Sequence, residues 1–317
     1  KLQALRMTWN ALKSIDVTKN PELTHFYVRK NPELTGVIDL SNNTKLVEVW
    51  CAESKVSGLN LSNDHSSLEK IVSYYSDIES LDLSTCPNLR YLEAHGMKLT
   101  SIDLTQCSKL DYLWLKFNAI TELDLTNCPE VTEVQVGGNK IGSLDMSHCP
   151  NILLLEVANN ALTEVNLSGC TRLESLDLSS FNTANVTNMM WAFYGCSSLT
   201  EIDGLDTRSI TSASELFHGC SSLTAIYSAL DFSNVKSQID TTFTSCKSLV
   251  EVRFAGTINV DVAMNGCAKL SVDSLLSLLN ALCENGQGLK CKIGTTNLGK
   301  LTDAQKAIAT DKGWELV

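Results

Sequence analysis

Runs of basic residues, long apolar segments and prolines are the features that this sequence has least of. No run of Lys and Arg exceeds two residues and the net charge is −11, so the basic stripe that a nucleic-acid partner requires is missing. No apolar run approaches the roughly 18 residues of a membrane helix. With 5 prolines and 44% hydrophobic residues, the chain also lacks the composition of a disordered protein. We therefore expect a globular protein with no nucleic-acid partner and no membrane insertion within this chain.

Catalytic motifs are missing as well. The sequence has no G-x-S-x-G, no H-E-x-x-H and no phosphate-binding loop, and its 5 histidines fall in different segments. It has no C-x-x-C pair and no Cys/His cluster with the spacing of a zinc site. We therefore expect no enzyme, no cofactor and no metal.

A repeat of 21 residues is the strongest pattern that the sequence does contain. Its clearest copies begin at Leu68, Leu89, Leu110, Val131 and Ile152. Apolar residues recur at positions 1, 4, 6, 11, 14 and 16, while Asn or a substitute holds position 9 and Cys holds position 19. Positions 4 and 6 alternate inward as in a short strand, and positions 14 and 16 predict a second extended segment. One such coil cannot bury its own apolar face, so neighbouring coils must stack.

The pattern L-x-x-L-x-L-x-x-N-x-L predicts an α/β solenoid. We expect a right-handed leucine-rich-repeat superhelix with a parallel β-sheet on the concave face and a small α/β cap at the C-terminal end. Residues 1–172 hold the repeats of about 21 residues, and residues 173–269 hold longer repeats, which begin at Leu173, Leu199 and Leu223 and last 26, 24 and 26 residues. Residues 270–317 form the predicted cap.

The longer repeats and the cap contain helix signals. Ser212 precedes Glu215 by three residues, a capping-box spacing, and Gly219 follows as a stop signal, which predicts a short helix on the convex side. Residues 187–195 carry a weaker form of the same signal. In the cap, the pattern predicts helices over residues 271–283 and 302–310, and strands over residues 290–293 and 314–317.

The repeats resemble those of two known families. The 21-residue units, with N-x-L-T-x-L-D-L-S, resemble those of bacterial surface leucine-rich-repeat proteins, including the internalins. Residues 181–199, F-N-T-A-N-V-T-N-M-M-W-A-F-Y-G-C-S-S-L, are similar to the 26-residue bacterial surface protein repeat of BspA-like proteins. The resemblance covers nearly the whole chain and carries over no catalytic residue. It implies a secreted or cell-surface bacterial protein that acts in adhesion or host-protein binding, and we expect the signal or anchor segment to lie outside this chain.

Cysteine and aspartate form two columns along the repeats. Cysteine recurs once per coil, at Cys86, Cys107, Cys128, Cys149, Cys170, Cys196, Cys220, Cys246 and Cys267. Neighbouring coils lie roughly 5 Å apart, which permits disulfides, but buried structural thiols also fit and nine residues in one column cannot all pair. Whether Cys283 and Cys291 form a disulfide stays open.

The second column consists of the aspartates of the L-D-L segments, which are Asp39, Asp82, Asp103, Asp124, Asp145 and Asp177. These carboxylates either bind a row of cations or accept hydrogen bonds from the backbone of their own turns.

The candidate site lies at repeat positions 2, 3, 5, 7 and 8, which avoid the core. In the first six repeats these positions are rich in aromatic residues, Trp9 and Phe117 among them. A contiguous exposed aromatic surface marks a partner site, although these rings could instead shield one another. The predicted ligand-binding residues are Tyr27, Trp50, Tyr74, Tyr75, Tyr91, Tyr112, Trp114 and Lys116. The sequence predicts a protein ligand, such as a host extracellular protein; the alternatives are a glycan or a structural spacer without its own ligand.

Overall fold

Short parallel strands recur once per repeat in the computed structural model, which describes residues 1–177 and 183–317. The chain forms two compact units. Unit 1 consists of Lys1–Ile141 and Leu154–Asn160, and unit 2 consists of Gly142–Leu153 and Ala161–Val317.

Unit 1 contains an eight-stranded parallel sheet with one strand from each coil. Each strand occupies positions 3 to 5 of its repeat and pairs in register with the next, so that Tyr27 lies beside Trp50. The middle residue of each strand, at position 4, points into the core, as Phe26 and Leu113 do. The sheet comprises β1 (Ala4–Arg6), β2 (His25–Tyr27), β4 (Glu48–Trp50), β6 (Lys70–Val72), β7 (Tyr91–Glu93), β8 (Tyr112–Trp114), β9 (Glu133–Gln135) and β11 (Leu154–Glu156), and a second sheet pairs β3 (Asn31–Asp39) with β5 (Ser54–Asn60).

Unit 2 repeats the same plan with longer coils. A four-stranded parallel sheet comprises β13 (Ser175–Asp177), β14 (Glu201–Asp203), β15 (Ala225–Asp231) and β16 (Glu251–Ala255), and β10 (Ser143–Asp145) pairs with β12 (Glu164–Asn166). Phe193, Phe217 and Phe243 stack inside these coils, with ring centroids 5.4 and 5.5 Å apart. The predicted solenoid of stacked coils with parallel sheets is confirmed.

An asparagine at position 9 can join two coils through backbone hydrogen bonds, as Asn139 does. Asn139 is buried, and its amide nitrogen donates to the carbonyls of Val136 in its own coil and Leu115 in the coil before. Its oxygen accepts from the backbone N–H of Ile120. One side chain therefore satisfies backbone groups on two coils, which explains why asparagine suits this position.

The aspartates of L-D-L bond their own turns. The Asp103 carboxylate accepts from the backbone N–H of Thr105 at 2.9 Å and from its hydroxyl, and these bonds hold the pKa of Asp103 below its usual range. Asn60, which interrupts the column, donates to Asp39 in the coil before it. No group of three or more His, Cys, Asp or Glu residues close enough to hold a metal ion occurs among the described residues. The side chain of Asp177 lies outside the described residues.

The cysteine column in unit 2 forms thiol-to-carbonyl hydrogen bonds between coils. No disulfide joins any of the described cysteines, Cys283 and Cys291 included. Each Sγ donates to a carbonyl oxygen of an earlier coil, at 3.5 Å for Cys170, 3.1 Å for Cys196, 3.0 Å for Cys220, 3.1 Å for Cys246 and 3.5 Å for Cys267. These cysteines therefore fill the core as small buried side chains, and their thiols also satisfy backbone acceptors.

The predicted convex-side helix over residues 212–219 is wrong. These residues form turns, and the described part of residues 173–269 contains a single 3-10 turn, Thr183–Asn185. Glu215 has a φ of +54°, which breaks a right-handed helix. The Ser212 hydroxyl, instead of capping a helix, is buried without a hydrogen-bond partner in the described part of the chain. The weaker helix over residues 187–195 fails for the same reason, because Trp191 has a φ of +60°.

The cap is an α/β structure, as predicted. It contains α1 (Val272–Ala281), α2 (Gly294–Leu298), α3 (Asp303–Thr310) and a sheet of β17 (Val262–Ala263), β18 (Lys290–Lys292) and β19 (Glu315–Leu316). Helix α1 begins after the N-cap Ser271, and a capping box between Thr302 and Gln305 begins α3. The sequence predicted these elements except α2 and β17.

Helix α1 covers the open edge of the four-stranded sheet. The backbone N–H groups of Val252 and Phe254 in β16 donate to the hydroxyls of Ser274 and Ser277 on the helix, at 3.0 and 2.8 Å. These hydroxyls take the place of a further strand, so the edge donors of β16 are satisfied. None of the helices among the described residues is long and apolar enough to cross a membrane.

Candidate binding face

The eight predicted site residues all belong to unit 1, on or directly after the strands of the eight-stranded sheet. We call the surface formed by repeat positions 3, 5, 7 and 8 of this sheet the sheet face. Tyr75 and Tyr112 are exposed on it, at 56% and 38% of their full accessibility. The other six are half-buried, and they are Tyr27, Trp50, Tyr74, Tyr91, Trp114 and Lys116.

A row of rings and one cation crosses the sheet face from β2 to β8. The Tyr27 and Trp50 rings meet edge to face at 5.4 Å. Lys70 stands between the next two rings, with Nζ 5.1 Å from the ring centroid of Trp50 and 3.9 Å from that of Tyr91. Tyr91 in turn contacts Tyr112 at 5.6 Å and Trp114 at 5.7 Å. We call Tyr27, Trp50, Lys70, Tyr91, Tyr112 and Trp114 the central strip.

The central strip is half-buried because its rings pack against each other and against cations. Arg6 lies over Tyr27 with 5.3 Å between Cζ and the ring centroid, and Arg29 lies over Trp50 at 5.6 Å. Mutual shielding, the alternative raised by the sequence, thus describes part of the arrangement. It leaves the ring edges and polar tips at the surface.

Carboxylates hold the polar ends of the rings. The Tyr27 hydroxyl donates to Glu48 at 2.7 Å, and the Trp114 indole N–H donates to Glu133 at 2.9 Å. Burial, followed by the bond to Glu48, raises the pKa of Tyr27 to about 12. The indole N–H of Trp50 is different, because it is buried and has no hydrogen-bond partner among the described residues. The strip is therefore ordered before any ligand arrives and retains one unused donor.

A second cluster lies beside the strip, at positions 7 and 8. The Tyr74 ring stacks on His95 at 4.6 Å, its hydroxyl donates to Glu53 at 3.2 Å, and the Tyr75 ring meets His95 edge-on at 5.1 Å. Burial lowers the pKa of His95, with Lys116 adding to the effect, so this imidazole is neutral at physiological pH. Lys116 itself forms an ion pair with Glu156.

Three exposed rings stand at position 8 of their repeats, and we call them the rim: Trp9, Tyr75 and Phe117. Their exposed fractions are 72%, 56% and 60%, and their backbone φ angles are +58°, +49° and +54°. A left-handed backbone costs a non-glycine residue roughly 1–2 kcal/mol. Of the three, only Tyr75 was predicted as a site residue.

Glycines at position 8 of the following coil make room for two of the rim rings. A Cβ on Gly96 would lie 2.3 Å from the Tyr75 ring, and a Cβ on Gly138 would lie 2.6 Å from the Phe117 ring. This alternation of ring and glycine at position 8 is visible in the sequence and indicates where the rings rest.

Comparison by sequence gives one family. The model of a family described as "Mycoplasma protein of unknown function, DUF285" matches residues 161–254, which begin in the last 21-residue unit and end in the longer repeats. No curated protein matches the chain.

Solved structures share the fold. The functional domain of InlJ from Listeria monocytogenes, which includes a cysteine ladder, is 21% identical with a TM-score of 0.55, and the match covers 92% of this chain and 59% of that one. A leucine-rich-repeat protein of Leptospira interrogans is 14% identical with a TM-score of 0.54, covering 100% and 84% of the two chains. TLR13, from a complex with ssRNA13, is 17% identical with a TM-score of 0.53, covering 89% and 44%. The chain thus has the leucine-rich-repeat fold, and its resemblance to bacterial surface proteins of this type is confirmed.

Proposed function

We propose that the sheet face of unit 1 binds a protein ligand, and that the chain acts as an adhesive or host-binding protein at the bacterial surface or after secretion. The resemblance to bacterial surface repeat proteins supports the location. The arrangement of the side chains supports the binding role.

The continuity of the central strip is the observation that carries the proposal. It runs over β2, β4, β6, β7 and β8, which is four strand spacings or roughly 19 Å. Protein interfaces concentrate their binding energy in Trp, Tyr and Arg side chains near their centre. A footprint of this length suits a folded protein or an extended peptide better than a single sugar ring.

The state of the strip before binding also supports recognition. Tyr27 and Trp114 are held by carboxylates, and Lys70 is held between two rings. Ordered side chains lose less conformational entropy on binding, so more of the contact energy appears as affinity.

The experiment is an array of extracellular proteins and glycans, probed with wild type and with the double variant Trp50→Ala/Trp114→Ala. We expect a protein to bind wild type and to lose at least tenfold in affinity with the double variant. The matched control is Tyr227→Ala, which removes a ring of 51% exposure from β15 in unit 2. A glycan as the sole ligand would overturn the protein assignment, and a structural spacer would bind nothing.

A further inference from the structure

An open pocket in unit 2 lies on the turns that precede β14 and β15, outside the sheets. Its volume is about 350 Å³, and it is lined by Ser168, Trp191, Tyr194 and Glu215. The Trp191 and Tyr194 side chains are 50% and 40% exposed. This surface belongs to a different unit from the sheet face, so nothing in the inference depends on the proposed function.

The backbone presents Trp191 and Glu215 in the same way. The two residues occupy equivalent places in successive coils, and the Trp191 N–H donates to the carbonyl of Ser214 at 3.1 Å. Their φ angles are +60° and +54°, a region that bulky side chains rarely occupy. Such strain persists only where the surrounding structure imposes it, and it clusters at ligand sites.

The aromatic pair is not needed to build a coil of this type. Phe193, Phe217 and Phe243 recur in the three longer coils and stack in the core. At the places of Trp191 and Tyr194, by contrast, the third of these coils has Thr241 and Thr244. The two rings are therefore additions to the surface of one coil.

The remaining groups at the pocket give it negative charge. The Tyr194 ring stacks on His218 at 4.9 Å, which covers one face of the ring. His218 Nδ1 is 3.6 Å from the nearest carboxylate oxygen of Glu215, which is too long for a hydrogen bond, and this Nδ1 is buried without another partner in the described part of the chain. No Lys or Arg forms an ion pair with Glu215 in the described residues, so its carboxylate can still pair with a cation.

The sheet face shows what such rings attract. There, Lys30 Nζ lies 3.9 Å from the ring centroid of Trp9, and Lys70 lies 5.1 Å from that of Trp50. No Lys or Arg lies over the Trp191 ring among the residues described. A ring face and a carboxylate both favour a positive charge.

We propose that the Trp191 pocket binds an organic cation, either the ammonium group of a lysine side chain or a quaternary ammonium group. The cation contacts the Trp191 and Tyr194 rings and pairs with Glu215. A cation–π contact at an open site is weak, so we expect a single cationic group to bind weakly.

The test is an NMR titration of the full chain that follows the indole N–H signal of Trp191, assigned with the variant Trp191→Phe. Choline is compared with 3,3-dimethyl-1-butanol, which has the same shape without the charge. Nα-acetyl-lysine amide and its Nε-acetyl derivative form the second pair, and the two pairs together distinguish the two sources of cation. We expect saturable shifts with choline or Nα-acetyl-lysine amide, and at least fivefold weaker binding of the uncharged partner.

Substitutions complete the test. Glu215→Gln keeps the shape of the pocket and should weaken binding at least threefold. Tyr194→Ala, which keeps the Trp191 signal, should also weaken binding at least threefold. Thr241→Ala, at the equivalent place in the next coil, is the control and should bind as wild type does. Equal binding of charged and uncharged probes, no binding of either cation, or full affinity in Glu215→Gln would each overturn the proposal.

Discussion

At the scale of single residues, the position-9 asparagine does more for the fold than its polarity suggests. Asn139 forms three hydrogen bonds with the backbone of two coils, all of them buried. The asparagine at the same position of the first coil, Asn10, is exposed, and within the described residues its side chain donates only to the carbonyl of Thr8. The two asparagines share one repeat position but differ in their hydrogen bonds, so comparing them tests the bonds and not the position.

We expect Asn139→Ala to lower the free energy of unfolding by roughly 2–4 kcal/mol, because it removes three hydrogen bonds and leaves a buried N–H unsatisfied. Asn10→Ala should cost less than about 0.5 kcal/mol, as exposed substitutions do. Urea unfolding followed by circular dichroism measures both. Similar losses in the two variants would show that the buried bonds of Asn139 are not the cause.

The rim makes a second prediction at this scale. Both Gly96→Ala and Gly36→Ala force an alanine into a left-handed backbone conformation, which destabilises the fold. A Cβ on Gly96 also pushes the Tyr75 ring aside, whereas a Cβ on Gly36 meets no described atom within 4 Å. We expect Gly96→Ala to destabilise the fold more than Gly36→Ala, because the Tyr75 ring must also leave its place. Thermal unfolding compares them, and equal losses would mean that Tyr75 does not rest on Gly96.

At the scale of elements, the cysteine column gives a prediction about reactivity. Burial raises the pKa of Cys86 to about 11 and that of Cys107 to about 12, so at pH 8 these thiols are protonated and unreactive. Among the 12 cysteines, Cys283 alone is partly exposed.

A thiol reagent at pH 8 should therefore label one cysteine quickly in the native chain and the others only on unfolding. The Cys283→Ser variant should lose the fast phase. Because the thiolate reacts and a raised pKa lowers its population, labelling of Cys86 and Cys107 should quicken as the pH rises toward 11 and 12. Fast labelling of several cysteines at pH 8 would contradict the packing of the column.

The edge of β16 gives another prediction for an element. Ser274→Ala leaves the buried N–H of Val252 without an acceptor, so we expect a loss of about 1–3 kcal/mol. Ser221→Ala is a matched control, because its exposed hydroxyl makes only one bond at 3.5 Å. The two are compared by urea unfolding, and a loss no larger in Ser274→Ala than in Ser221→Ala would show that α1 does not satisfy this edge.

Elements were predictable from the sequence where periodicity determines them. The strand at residues 112–114 follows from Leu110, Leu113 and Leu115, and the pattern over residues 302–310 predicted α3. The helix over residues 212–219 failed although the Ser212–Glu215 spacing was correct, because stacking against neighbouring coils imposes a positive φ on Glu215. Tertiary context of that kind has no local signal.

At the scale of the whole molecule, the sequence could predict which side chains share a face but not how they pack. Trp50 and Tyr91 belong to the face because positions 3 and 5 point away from the core. Their half-burial depends on Lys70, which stands between their rings from a strand with no aromatic residue of its own. The repeat pattern specifies no residue type at position 3, where Lys70 stands, so it could not predict this contact.

If the whole central strip contacts the ligand, residues at both of its ends contribute to affinity. Tyr27 on β2 and Trp114 on β8 are four strand spacings apart, and each is anchored by its own glutamate. A single sugar ring cannot reach both, whereas a protein interface of ordinary size can. Substitutions at the two ends therefore report on the size of the footprint.

The most direct measurement is the dissociation constant of the ligand found on the array for Tyr27→Ala, Trp114→Ala and the control Tyr227→Ala. We expect Tyr27→Ala and Trp114→Ala each to weaken binding about tenfold, or 1.4 kcal/mol, while Tyr227→Ala binds as wild type does. Unchanged binding in both strip variants, or an equal loss in Tyr227→Ala, would contradict recognition by the sheet face.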